Sequence, residues 1–407
     1  MPDPHARQRR AAFLITGLLL FLAAGCAERA VEVVETRPGM DTLITVRAVA
    51  PTKAAARRAV EAAWEEMDLC IARLDRYRAG SDLARINADA GKWHTSVDPL
   101  VTSGLAAAKE VYDVSHGAFD PTVGPLVDLW KAAQDRDRPP TDEEIAKARG
   151  LVGMDKVEIL AAAVQKLPTD LAPVPPGEES PEPAEPTALM CSVGIRAGMS
   201  LDLGGIAKGY IAGRMARRMH QAGAVAGLVA AAGDAYAFGL RPASLVRREG
   251  GSSLWSVAVL DPRYPLDRSH FYTTVYLRDQ AVDTSGHYYR GYTIGGRRYS
   301  HILDPRTGRP VDARLASITV VAPDPALSDG LATAIAVLGA KDGLALVESL
   351  DGVECLLLET VPPENPPAEG QPPAPVPPEP ACPVGRSIRL VAHRSSGFAA
   401  LEAAPPR

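Results

Sequence analysis

YSHILDPRTGRPV (299–311), followed by SDGLATAIAVLG (328–339), sets a polar turn before a helix of small and apolar residues. The first half gathers His301, Asp304, Arg306 and Arg309 around Pro305 and Gly308, a composition for a rigid turn rather than a core. The second begins like a helix, with Ser328 as N-cap and Asp329 in the first turn. Asp329 and Thr333 stand four apart and therefore share one helix face. A carboxylate and a hydroxyl at a positive helix end, beside a histidine-bearing loop, suit an oxygen-ligated cation and a phosphate group. A capped helix next to a charged surface turn is the plain alternative.

The chain has 407 residues, 46% apolar and 23% charged, which fits one large globular domain or two. Its formal net charge of −5, with no basic stripe beyond the first ten residues and RMARRM (214–219), gives no expectation of nucleic acid as a partner. Arg7, Arg9 and Arg10 precede the apolar run 11–24, which is shorter than the roughly 20 residues a membrane span needs. Leu22-Ala23-Ala24-Gly25-Cys26 resembles a bacterial lipoprotein signal with Cys26 as the lipidated residue, although Ala23 stands where that motif prefers Leu. An uncleaved anchor is the other reading, and either one places the protein outside the cytoplasmic membrane and held to it. Cys70, Cys191, Cys355 and Cys382 show no metal-site spacing; Cys70 and Cys355 lie in apolar contexts and read as buried thiols.

Alternating TLITVRAVA (42–50) reads as a strand, and helical spacing runs through 53–74, 98–114, 141–149 and 206–222. Thr141 with Glu144 forms a capping box. Strands are expected at 227–239, 255–262 and 273–286. Residues 168–188 and 361–384 are Pro/Glu-rich inserts, the second an oversized hairpin loop between VECLLLE (353–359) and SIRLVAH (387–393). The expected organisation is a signal at 1–26 and a single domain at 27–407, of α+β class with helices packed on largely antiparallel sheets.

LDLGGIAKGYIAGRM (201–215) reads as a strand, a glycine turn and a helix start, with Lys208 at the turn and room for an anion near the backbone. It has neither Walker nor Rossmann spacing; a tight turn with a surface lysine is the plain reading. GAFDPTVGPLVDLW (117–130) presents Asp120 between Phe119 and Pro121, suited to a planar heterocycle or simply to a helix cap. AVDTSGHYY (281–289) brings Thr284 and Ser285 to the end of a strand. No G-x-S-x-G elbow is present.

In this order, RYRAGSDLARIN, GAFDPTVGPLVDLW, LDLGGIAKGY, Gly233-Asp234, Thr284-Ser285-Gly286, RYSHILDPRTGRPV and SDGLATAIAVLG resemble the ApbE family of FAD:protein FMN transferases, from about residue 36 to 359. The resemblance implies an Mg²⁺-dependent transfer of the FMN half of FAD to a threonine hydroxyl of an acceptor protein, with release of AMP. It implies Asp329, Thr333 and the Ala207 carbonyl as metal ligands and His301 as the base beside the pyrophosphate. Asp120, Lys208, Asp234, Thr284 and Ser285 would contact FAD, with Tyr77 at the cleft edge. The implied partners are FAD, flavoprotein subunits of membrane-associated redox complexes, and the periplasmic face of a bacterial membrane reached through Cys26. Two departures stand out. Ala232 replaces one of two glycines before Asp234, and Asp283-Thr284-Ser285-Gly286-His287 stands where the pattern often reads Ala-Thr-Ser-Gly-Asp. The rival activities are FAD pyrophosphatase, yielding FMN and AMP, and a non-enzymatic FAD-binding lipoprotein.

Overall fold

Eight strands form one antiparallel sheet whose spatial order follows the chain: β1 (Val31–Gly39), β2 (Thr42–Ala50), β3 (Ala226–Ala231), β4 (Asp234–Phe238), β5 (Gln280–Ser285), β6 (Leu315–Ala322), β7 (Glu354–Thr360) and β8 (Leu390–Arg394). The computed structural model describes residues 30–161, 191–249, 252–264, 267, 269–286, 291–312, 314–361 and 389–403. The signal with Cys26, residues 168–188, most of 361–384, Cys382 and His287 lie outside these described residues.

Strand periodicity explains how the sheet is covered on both faces. Val229 and Ala231 of β3, Tyr236 and Phe238 of β4 and Ala281 of β5 join one buried cluster. Ala226 and Leu228, Ala235 and Ala237, and Val282 join another, with Trp255, Val275 and Phe398 packed against them. The first face carries the long helices α1 (Lys53–Leu74), α2 (Pro99–Val114) and α3 (Ala207–Gln221). On the same side, α4 (Pro325–Glu348) sets Leu331 and Ile335 against Ile318 and Val320 of β6. The second face carries the hairpin Trp255–Leu260/Phe271–Leu277. The α+β expectation holds, and α1 and β2 start and end where the spacing places them.

Several elements differ from expectation for local reasons. The segment 227–239 is two strands, because Ala232 and Gly233 adopt φ of 49° and 108° and turn the chain into a hairpin. The alanine therefore sits in a left-handed conformation that glycine adopts without strain. The segment 273–286 also breaks, at Asp279 with φ 52°, so its halves enter different sheets. Leu201–Leu203 is extended loop, not strand. Ser328 is not an N-cap: α4 begins three residues earlier, capped by Asp324, whose side chain accepts from Ala326 and Leu327 N–H at 2.8 and 3.0 Å, with Pro325 next. Ser328 Oγ is buried and donates instead to the Val320 carbonyl at 2.9 Å, tying α4 to β6. Cys70, Cys191 and Cys355 are buried free thiols, and burial pushes Cys70 and Cys355 up to about 12.

Both Pro-rich inserts interrupt hairpins. Val157–Ala161 pairs antiparallel with Cys191–Ile195, and β7 with β8. Since the flanking strands pair on their own, replacing 168–188 by a short Gly/Ser turn should leave Tm within about 2–4 °C of wild type. A larger drop on thermal unfolding would show that the insert packs on the core.

Candidate functional site

The site grows from a close helix crossing. A Cβ on Gly209 in α3 would lie 2.0 Å from the Pro325 carbonyl oxygen and 2.8 Å from Asp329 Cβ, so only glycine lets α3 and α4 approach this far. At that distance the Gly209 N–H donates to Asp329 Oδ2 at 2.9 Å. Lys208, one residue earlier in the first turn of α3, forms an ion pair with Asp234 and lies 3.7 Å from Asp329 Oδ1. Asp234 heads β4 just after the hairpin turn, and its Oδ1 accepts the Thr284 N–H at 3.0 Å. On the other side of the glycine turn, Thr333 Oγ1 donates to the Gly205 carbonyl at 3.2 Å.

Four chain segments thus meet at one corner: the start of α3, the start of β4, the end of β5 and the second and third turns of α4. Asp329 and Thr333 do share a helix face, both directed at the 205–209 turn, though deeper in α4 than its first turn. Ala207 is the first residue of α3, between those two contacts.

Electrostatics at this corner are severe. Burial works against charge on Lys208, but Asp329 and then Asp234 outweigh it and hold the ammonium well above its ordinary range. Burial raises the Asp234 carboxyl despite Lys208, and Asp329 adds to the rise. A third carboxylate, Asp283, was not anticipated as a site residue. It is 2% exposed, and one oxygen from each of Asp234, Asp283 and Asp329 lies within 4.8 Å of the others. The signal was present in the sequence, a carboxylate in the alternating register of Ala281 and Ser285, where apolar or small residues face the helices.

The remaining expected residues lie on separate segments. Asp120 is buried; its Oδ1 accepts from Thr122 N and Oγ1 at 2.8 and 2.6 Å, a closed turn rather than a helix cap, and burial raises its carboxyl. The following Pro121 carbonyl accepts from Asp202 N–H at 2.7 Å, which fixes this loop to the glycine turn. Thr284 contributes its N–H, while its hydroxyl pairs with Thr319 Oγ1 at 3.0 Å on the sheet face away from the long helices. Ser285 is half-buried at the end of β5.

His301 is half-buried and follows the strand Arg297–Ser300. Its turn is fixed on both sides: Ile302 N–H donates to Ser300 Oγ at 3.1 Å, and the Ile302 side chain shares a buried cluster with Leu331 and Ile335 of α4. Farther along, Gly308 at φ 73° passes its carbonyl to Trp130 Nε1 at 3.0 Å. Tyr77 is 64% exposed, its ring between Arg76 at 5.2 Å and Lys131 at 5.0 Å. Arg76, also unanticipated, pairs at 2.8 Å with both Asp202 and Asp128, and Asp202 in turn accepts the Gly204 N–H at 2.8 Å. That bridge ties Arg76 to the glycine turn.

An antiparallel sheet backed by helices, with a carboxylate-rich corner at a helix start, defines the class. The model of the ApbE family matches residues 40–357, and the chain belongs to that family. It is 30% identical to the FAD:protein FMN transferase of Treponema pallidum, over 78% of this chain and 82% of that one. With the enzyme of the same name from Vibrio cholerae it shares 29% identity, over 83% and 90% of the two chains. The structure superposes on the apo flavinyl transferase ApbE of Pseudomonas stutzeri with TM-score 0.65 and 26% identity, covering 93% of this chain and 98% of that one.

The helix crossing gives a direct test. Gly209→Ala should cost about 1–3 kcal/mol by overpacking, read by denaturant unfolding. Gly150→Ala, whose Cβ would meet nothing nearer than 3.4 Å, should be close to neutral. Equal stabilities for the two variants would contradict the crossing.

Proposed function

We propose that this chain transfers the FMN moiety of FAD to a threonine hydroxyl of an acceptor protein, uses Mg²⁺, and releases AMP. The observation that carries this reading is the convergence of Lys208, Asp329 and Thr333 on one glycine turn, in a chain of the ApbE family. The donors fit a hard cation: Asp329, Thr333 and the Ala207 carbonyl supply oxygens only, and the corner also holds the buried Asp283 Oδ2, unpartnered among the described residues. Those three residues would hold Mg²⁺, which when bound supplies neutralisation of the pyrophosphate charge.

The start of α3 and Lys208 favour an anion at the same place. His301 accepts the proton of the threonine hydroxyl as that oxygen bonds to the FMN phosphorus. The bond from this phosphorus to the bridging oxygen breaks, and its electron pair leaves with AMP. Tyr77 and its Arg76 support stand at the rim, where they border the path by which the acceptor, or water, reaches the phosphorus. Cys26 would anchor the protein at the periplasmic face of the membrane, close to acceptor subunits of membrane-bound redox complexes.

Two substitutions test the assignment in a mixture of FAD, Mg²⁺ and acceptor, scored by in-gel flavin fluorescence. Asp329→Asn keeps an acceptor for the Gly209 N–H but removes the charge; transfer should be abolished in a folded protein. Full activity at low Mg²⁺ would remove Asp329 from the cation site. His301→Ala should slow transfer by roughly 10²–10⁴-fold with little change in the FAD dissociation constant. Should FAD affinity and Tm fall together instead, the histidine only supports its turn.

A further inference from the structure

Asp283 is a carboxylate of the corner that the reaction above leaves without a task. β-strand alternation puts it on the helix side of β5, two residues after buried Ala281 and opposite Val320 of β6. Ser328 lies within hydrogen-bonding reach of the Asp283 side chain, but among the described residues its Oδ2 is buried with no hydrogen-bond partner. The other two carboxylates are served: Asp234 by Lys208 and the Thr284 N–H, and Asp329 by the Gly209 N–H, with Lys208 3.7 Å away. A buried carboxylate oxygen left unpaired is costly, and a protein retains one where something else satisfies it. Charge points the same way. Once all three carboxylates are ionised against the single ammonium of Lys208, two negative charges remain, the charge that one divalent cation balances.

We propose that Asp234, Asp283 and Asp329 form a cradle that captures a divalent, oxygen-preferring cation in the nucleotide-free protein. The proposal rests on the cation role given above to Asp329 and extends it: Asp283 makes phosphate oxygens unnecessary for capture. Mg²⁺ is ordinarily held by one or two protein carboxylates together with substrate phosphates, and oxygen-ligand sites tighten with the number of charged ligands. A third carboxylate therefore shifts the ion from arriving with the nucleotide to preceding it. The resemblance carries the same contrast, since alanine often occupies the place of Asp283.

The test is titration of Mn²⁺ into full-length, chelator-stripped protein, following free Mn²⁺ by electron paramagnetic resonance, with and without FAD. Wild type should bind one Mn²⁺ without FAD. Asp283→Ala should bind it at least about tenfold more weakly without FAD, and regain affinity when FAD is added. Thermal unfolding gives a second reading: removing the unpaired carboxylate should raise Tm in chelator and shrink the gain that Mn²⁺ gives wild type. The isosteric Asp283→Asn repeats both measurements should the alanine variant misfold. Mn²⁺ binding by wild type only after FAD is added would overturn the cradle and leave the catalytic cation intact. Equal FAD-free affinity in wild type and both variants would overturn it as well. FAD-free binding in a protein that transfers no flavin would instead refute the proposed reaction and keep the cradle.

Discussion

The contact of Lys208 with Asp234, and its approach to Asp329, is the constraint on which the rest of the site depends. Each partner arrives on a different element: Lys208 on the first turn of α3, Asp234 at the start of β4, Asp329 inside α4. An ion pair whose carboxylate is buried and whose lysine is half-buried is costly unless its geometry and hydrogen bonds are complete. The fold meets that condition with backbone donors, the Gly209 N–H to Asp329 and the Thr284 N–H to Asp234. Those donors are available only because Gly209 admits α4 to contact and because β5 lies beside β4. The β3–β4 turn, the α3–α4 crossing and the order of the central strands are therefore coupled to one charge cluster.

Much of this was open to reading along the chain. Helices such as Lys53–Leu74 and Asp142–Arg149 carry their own caps and periodicity, so local chemistry sets their bounds. The pairing of Asp329 with Thr333 followed from helical spacing alone. What escaped depends on backbone sign and on tertiary position. Ala232 at φ 49° gives no compositional sign of a turn, so 227–239 reads as one strand. Ser328 has the type of an N-cap, yet Asp324-Pro325 outcompetes it and the hydroxyl serves β6 instead. Asp283 and Arg76 acquire meaning only when strands and loops distant in sequence come together.

The arrangement also sets groups of both charges at one corner. The start of α3 and Lys208 supply positive potential, while α4, β4 and β5 supply three clustered carboxylates. Under the proposed reaction, the FAD pyrophosphate would meet both kinds of group there. The His301 turn is braced against α4 through Ile302 and against the helix Gly124–Asp135 through Trp130. The His301 turn and the helix that carries Asp329 and Thr333 are therefore parts of one rigid framework, as the proposed in-line transfer would require.

Where the FMN goes separates transfer from hydrolysis. Incubating the protein with FAD, Mg²⁺ and a threonine-bearing acceptor, then measuring AMP release and the intact mass of the acceptor, follows both products of the same bond cleavage. The predicted result is an acceptor that gains one FMN, less water, for each AMP released. AMP accompanied by free FMN and an unmodified acceptor would contradict it, assigning the site to hydrolysis.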